Sequence, residues 1–515
     1  MNGIAVSCLI GLPAIAILIM LAAPRPVLAE RLNLVTSGVC LSAALVMVAT
    51  TPAIGIGYLG RYLIVDPFGA WVILCAAIVY FLSSIFSCGY MRMLDEDQRL
   101  PRFYQLFAMF ALTIFIAPLM NNPGLYWIAI EMTTVVSTFL VAFEQAPEAI
   151  EAGWKYIIIV SAGITLALLG TVIFYWGGTF ILGSTYDMTW RVLRHAAPGM
   201  SHSLLVLGFL LVLVGYGTKV GLAPMHTWLP DAHSEGPAPV SAMLSGALLN
   251  AAMVGIVRYL AVLHRANLFD LPDQLLILFG TVSLLVAALF IVRQRGVKRL
   301  MAYSSVEHMG IVALGFGFGG PFGVAGAMYH MLNHSLNKSL MFFGAGNAMR
   351  SFGTKSMMRI RDYAQHFPVG AALWLAGAVA ITGAPPFGLF ASEFTILRAG
   401  FSGIGLWAAV VMLALLIVIF IGFLNHFRIM YYEPANRPEQ KAAVLTAPSR
   451  WNIAPMWLAL VPLLVFGLWW PRAMWQDFQT VERTIQGPAV LHAAVVEHAV
   501  NGAVAFRTLA PRAPS

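Results

Sequence analysis

Charge is what this sequence has least of. Only 10% of its 515 residues are charged and 60% are hydrophobic, where a soluble domain carries about a quarter charged residues. That scarcity excludes an ordinary water-facing globule. Cysteine is scarce too: Cys8, Cys40, Cys75 and Cys88 have neither metal-ligand nor redox spacing, which argues against iron–sulfur and zinc centres. Walker and haem-attachment motifs are missing. The string GFGFGG at 315–320 follows no strand, so it lacks the setting of a dinucleotide-binding turn. No redox centre, metal or cofactor is therefore expected on the chain itself.

What the sequence has instead is apolar runs of roughly 18 to 25 residues, each long enough to cross a bilayer as a helix. They are continuous rather than alternating, which excludes a transmembrane β-barrel. Fourteen runs are expected as spans: 3–23, 32–50, 66–88, 103–120, 124–143, 154–176, 203–231, 239–263, 274–292, 300–319, 322–348, 369–397, 403–430 and 453–470. The fold expected is an all-α polytopic membrane protein. The stretch 481–500 is expected as a helix lying on the membrane surface. The first run lacks a basic flank and is long for a leader, so it reads as an uncleaved first helix.

The net charge of +8 sets orientation and is no nucleic-acid footprint. Loops after odd-numbered spans hold eighteen basic residues, among them Arg92, Lys155, Lys298, Arg299 and Lys355, and loops after even-numbered spans hold six, Arg61, Arg191, Arg194, Arg258, Arg265 and Arg398. The bias predicts odd loops in the cytoplasm of a bacterial inner membrane and both termini on the outer side.

Two spans are interrupted. Span 7 contains GTKVGLAPMHTWLPDAH (217–233) and span 12 contains ITGAPPFGLFASE (381–393). Proline removes a helical hydrogen bond and glycine permits the bend, so Pro224, Pro230, Pro385 and Pro386 mark broken helices. Breaks at matching places in two halves point to inverted repeats. Spans 4–8 and 9–13 would be those repeats, five helices each. The expected units are 1–102 (helices 1–3), 103–263 and 264–431 (two half-channels), and 432–515 (last helix and tail).

The few ionisable residues inside the spans then carry the functional reading. The chain has six lysines, and Lys219 and Lys338 both lie within apolar runs. A charge at bilayer depth costs a few kcal/mol, which makes each a functional candidate. Glu131 (span 5) and Glu393 (after the break in span 12) are their acidic counterparts. A Glu131–Lys219 pair of adjustable separation can load and release a proton; a static ion pair is the plain alternative. The spacing of four puts His330, His334 and Lys338 on one helical face, and histidine titrates near physiological pH. Two histidines at that spacing could bind zinc, but Lys338 a turn away would repel it. Glu307 and His308 either extend the relay or pair with Lys298 and Arg299.

The stretches APMHTWLPDAH (223–233), GPAPVSAMLSG (236–246), VKRLMAYSSVEHMGI (297–311), MYHMLNHSLNKSLMFF (328–343) and APPFGLFASEF (384–394) resemble the antiporter-like subunits of respiratory complex I and its relatives. Within that family the wording is most similar to the F-type subunit of hydrogenase-4 complexes. The resemblance implies a proton-translocating membrane subunit, driven by electron transfer in a peripheral hydrogenase or quinone-reducing partner and flanked by other membrane subunits. It implies Glu131 and Lys219 as the coupled pair of the first half-channel, Lys338 with His330 and His334 as the central axis, and Glu393 as an outlet. His226 and His233 fall in the matched loop motif. Asn250 stands where many relatives carry Lys or His; an amide holds water but stores no proton, so it marks an expected gap in the relay. Other readings are a multisubunit cation/proton antiporter subunit and the membrane part of a bicarbonate-accumulating complex.

Overall fold

The structure is a computed structural model that describes residues 1–94, 97–403, 405–434 and 446–487. It is almost wholly helical. Helices α1 (Asn2–Ala22) and α2 (Pro26–Thr50) precede a short antiparallel hairpin, β1 (Ile56–Tyr58) and β2 (Leu63–Val65). There follow α3 (Pro67–Tyr90), α4 (Leu100–Leu119), α5 (Pro123–Val141), α6 (Pro147–Leu182), the short α7 (Trp190–Ala196), α8 (His202–Val220) and α9 (Trp228–Glu235). Next, α10 (Ala238–Met243) runs through a π-helical turn, Leu244–Leu248, into α11 (Leu249–Arg265). The second part holds α12 (Asp270–Arg293), α13 (Val297–Phe318), α14 (Gly320–Phe352), the single turn α15 (Tyr363–His366), α16 (Pro368–Ile381), α17 (Gly388–Ser402) and α18 (Leu406–Tyr432). Helices α19 (Arg450–Leu468) and α20 (Arg472–Gln486) complete the described chain.

Local chemistry sets many of the ends. Proline opens α2, α3, α5, α6 and α16, where its missing N–H is no loss. The Asp66 carboxylate accepts from the Gly69 N–H at 2.6 Å, and Asn122 Oδ1 accepts from Gly124 and Leu125 at 2.8 and 3.1 Å, capping α3 and α5.

Eleven helical segments among the described residues are long and apolar enough to cross a membrane. The expected spans 300–319, 322–348 and 369–397 correspond to α13, α14 and the α16/α17 pair, which fall outside that group. Helices α13 and α14 are buried along nearly their whole length and carry the polar interior. They form an antiparallel pair: the Val297 N–H donates to the Lys355 carbonyl at 3.0 Å and the Met357 N–H to Arg295 at 2.8 Å, joining the start of α13 to the end of α14. At the other end Phe318 lies against Gly400 and Gly405, at the end of α17 and the start of α18.

Helices α6 and α8 meet through small residues. A methyl group built on Gly170 would lie 2.6 Å from the Gly208 carbonyl, one on Gly215 2.4 Å from the Ala167 nitrogen, and one on Gly163 2.6 Å from the Thr218 side chain. Close backbone approach of this kind is how membrane helices gain dispersion contacts.

Several expectations shift. Helix α6 begins at Pro147, so Lys155, expected in a loop, stands on a helix and pairs with Glu151 at 2.6 Å. Arg258, also expected in a loop, is buried within α11. Of the expected surface helix 481–500, residues up to Gln486 belong to α20, and 488–500 lie outside the described residues.

Candidate functional site

Both expected breaks are present, and each interrupts a helix inside an apolar bundle. Helix α8 ends at Gly221, whose φ of +82° suits glycine. The carbonyls and N–H groups freed there find partners: Trp228 Nε1 donates to the Thr218 carbonyl at 2.7 Å, and the Ala223 N–H donates to Ser283 Oγ at 2.9 Å. The second break, between α16 and α17, holds Gly383 at φ +67°. The peptide bonds before Pro224 and Pro386 are cis. Pro230, expected as part of the first break, lies in the first turn of α9 instead.

Lys219 sits in the last turn of α8 and is completely buried. Its Nζ donates to Thr134 Oγ1 at 2.8 Å and to the Tyr156 hydroxyl at 2.7 Å, and that hydroxyl is 2.7 Å from Ser137 Oγ. Glu131, one turn before Thr134 on α5, accepts from Ser161 Oγ at 2.5 Å, and its second oxygen is buried without a partner. Glu131 and Lys219 form no direct ion pair; the amine goes to Thr134 and Tyr156 and the carboxylate to Ser161. In place of the pair expected from sequence stand two sets of hydrogen bonds, spread over α5, α6 and α8.

In the centre, Asn250 follows the π-helical turn. Its Nδ2 donates to Ser335 Oγ at 3.0 Å and lies 3.2 and 3.3 Å from the Gly246 and Met331 carbonyls, while Oδ1 is buried and unpartnered. Ser245 Oγ and Ser305 Oγ are 2.8 Å apart, and His334 Nε2 lies 3.3 Å from the Ser245 carbonyl.

The stripe on α14 meets three different neighbours. Lys338 Nζ donates to Ser304 Oγ at 2.5 Å and to the Met301 carbonyl at 3.0 Å on α13. His334 faces the π-helical turn. His330 lies between His308 on α13, Nε2 to Nδ1 at 3.0 Å, and Ser392 Oγ on α17 at 2.9 Å. Glu307 is fully buried with neither oxygen partnered, and it does not pair with Lys298 or Arg299. Glu393 is buried and turned inward: ligand atoms of His308, His330 and Glu393 all lie within 4.8 Å of one another. In that trio His308 Nε2 and Glu393 Oε1 are uncommitted, while both His330 nitrogens already have partners.

Sequence reasoning misplaced Lys298, gave His226 and His233 only as part of the matched loop motif, and missed a set of hydroxyls. Lys298, expected as a loop charge, is buried and donates to the Gly236 carbonyl at 2.5 Å. His233 is fully inaccessible, stacks on Phe342 with centroids 5.0 Å apart, and has no partner at either ring nitrogen. His226 is nearly buried, edge-on to Tyr303. Tyr156, Thr134, Ser137, Ser161 and Ser392 gave no signal, because a hydroxyl in an apolar run is common and only packing decides what it meets.

The fold and site define a polytopic helical membrane protein with two broken helices and buried Lys, Glu and His in its interior. The chain belongs to the family described as NADH:quinone oxidoreductase/Mrp antiporter, transmembrane, which matches residues 121–420. It is an antiporter-like membrane subunit of the hydrogenase-4 and complex I type. It is 36% identical over 429 residues to the hydrogenase-4 component F homolog of Methylacidiphilum infernorum, covering 82% of this chain and 88% of that protein. Among solved structures it resembles a chain of the membrane-bound sulfane sulfur reductase, an archaeal respiratory membrane complex, with a TM-score of 0.82 at 23% identity, over 94% of this chain and 98% of that one. It likewise resembles a chain of the Mrp complex from a Dietzia species, with a TM-score of 0.81 at 18% identity, over 96% and 99%.

Proposed function

We propose that this chain moves protons across the bacterial inner membrane as a subunit of a hydrogenase-4 or complex I-like assembly, driven by electron transfer in a peripheral redox module. The observation that carries the reading is a polar row through an otherwise apolar bundle, which starts at the half-buried Glu131 and Ser161 and is buried from there on: Lys219 with Thr134 and Tyr156, Lys338 with Ser304, then His308, His330, Ser392 and Glu393. Hydroxyls and imidazoles both give and accept hydrogen bonds, so each link can hand on a proton. Glu131–Lys219 is the gate of the first half-channel (103–263). Lys338 is the midpoint, and Glu393 ends the second half-channel (264–431). Asn250 stays a gap in side-chain relay, flanked by Ser335, Ser245 and His334.

The proposed fold has fourteen crossings in two inverted five-helix repeats, with residues 1–102 and 432–515 outside them. The antiparallel α13/α14 pair supports counting both as spans although they are less apolar. So does the placement of α20: its Gln486 lies against Gly319, at the end of α13. Both termini are proposed on the outer side. The test is to reconstitute the intact complex in vesicles with Glu131→Gln or Lys338→Met. Loss of coupled proton uptake with electron transfer retained is expected; unchanged uptake in both refutes the relay.

A further inference from the structure

Away from the relay, a cavity of about 700 Å³ opens between α7, the ends of α3 and α11, and α20. Five arginines line it: Arg191, Arg194, Arg258, Arg265 and Arg483. The carboxylate in its lining is Asp66, and that is committed to Arg258 at 3.0 Å. Arg258 is further fixed by the Met120 and Pro118 carbonyls at 2.9 and 2.8 Å. Arg194 uses Nε on the Trp190 carbonyl at 3.3 Å, and its terminal nitrogens are uncommitted. Among the described residues the side chains of Arg191, Arg265 and Arg483 make no hydrogen bond or ion pair.

This surplus is out of place as an orientation signal. Of the six basic residues expected in loops after even-numbered spans, four, Arg191, Arg194, Arg258 and Arg265, gather on this one cavity. Burial, set against Asp66 and reinforced by Arg258, Arg265 and Arg191, holds Arg194 below the usual guanidinium range. The rest of the wall is largely apolar, from α3, α11 and α20. Uncommitted guanidinium groups converging beside an apolar wall match a phosphate with an attached hydrocarbon, because the planar fork binds phosphate oxygens in pairs.

We infer that this cavity binds a phosphate-bearing anion, with Arg194 and Arg265 as its principal ligands and the apolar wall suited to a phospholipid's chains. The test uses the full-length protein, purified in detergent and stripped of lipid. Phosphatidylglycerol or phosphatidylcholine is returned in mixed micelles and bound lipid is counted by native mass spectrometry; inorganic phosphate is titrated in parallel by thermal shift. Retention of phosphatidylglycerol over phosphatidylcholine assigns a lipid head group. A thermal shift with inorganic phosphate alone assigns a free anion. Each arginine near an anionic head group is worth about fivefold in affinity, so Arg194→Gln with Arg265→Gln should weaken binding about 25-fold. Arg293→Gln with Arg295→Gln, away from the cavity, should leave it unchanged. Arg194→Lys keeps the charge, so it separates lost binding from misfolding. Equal retention of both lipids with no phosphate response overturns the inference, as does equal weakening by the remote pair.

Discussion

Lys219→Met is the sharpest test of the proposed gate. The change removes the donor to Thr134 and Tyr156 and keeps much of the side chain's length. The Tyr156 hydroxyl retains Ser137 at 2.7 Å and its side-chain hydrogen bond with Thr134, so the loss is the two bonds given by the lysine, together about 1–3 kcal/mol. Against that, burying a lysine charge at helix-centre depth costs about 2.5–3.5 kcal/mol on insertion scales. The two nearly cancel, so melting of the purified complex should move little, while proton uptake should fall by about 100-fold or more if the amine is the relay's acid and base. Lys219→Arg sharpens the test, because a guanidinium keeps the charge and does not deprotonate in proteins. Both variants should transfer electrons and fail to acidify or alkalinise vesicles in a dye-quench assay. Wild-type pumping by the arginine variant would show that Lys219 is a static charge and refute the gate.

Three further outcomes follow. His308→Gln removes the ring nitrogen 3.0 Å from His330 and should abolish proton uptake without changing expression, whereas Ser392→Ala, which leaves both rings, should reduce it only partially; vesicle assays distinguish them. Arg258→Ala strips the Asp66 carboxylate and two backbone carbonyls of their donor and should destabilise the protein by about 1.5–3 kcal/mol, seen as a lower melting temperature in detergent. Gly215→Ala places a methyl group 2.4 Å from the Ala167 backbone and should cost about 1–3 kcal/mol, read the same way; an unchanged melting temperature would show that α6 and α8 separate freely.

Eleven membrane-length segments among the described residues, the two breaks and the buried lysines were legible because each leaves a local mark: a long apolar run, a Gly/Pro cluster, a charge inside a run. The stripe His330, His334 and Lys338 was legible from a spacing of four. Its three destinations were not, since they depend on which helices pack beside α14. The different partners taken by Glu131 and Lys219, Ser161 for one and Thr134 with Tyr156 for the other, are of the same kind. Lys298 counted as a loop charge because it stands next to Arg299; burial of one and exposure of the other comes from the direction each faces on the first turn of α13. Helix α7 and the β1–β2 hairpin were missed because they are too short to show a period.

The glycine seam between α6 and α8 bears on how energy would reach the proposed gate. With methyl-sized gaps already closed at Gly163, Gly170 and Gly215, α8 cannot travel along its axis like a piston without prising that seam open. The depth of Lys219 is therefore pinned to the scaffold. The parts left to move are side-chain rotamers, water, and the chain after Gly221. A distant driver acting on this lysine then has to work by shifting the local electric field or hydration, with the helices as a rigid frame rather than as the moving rod.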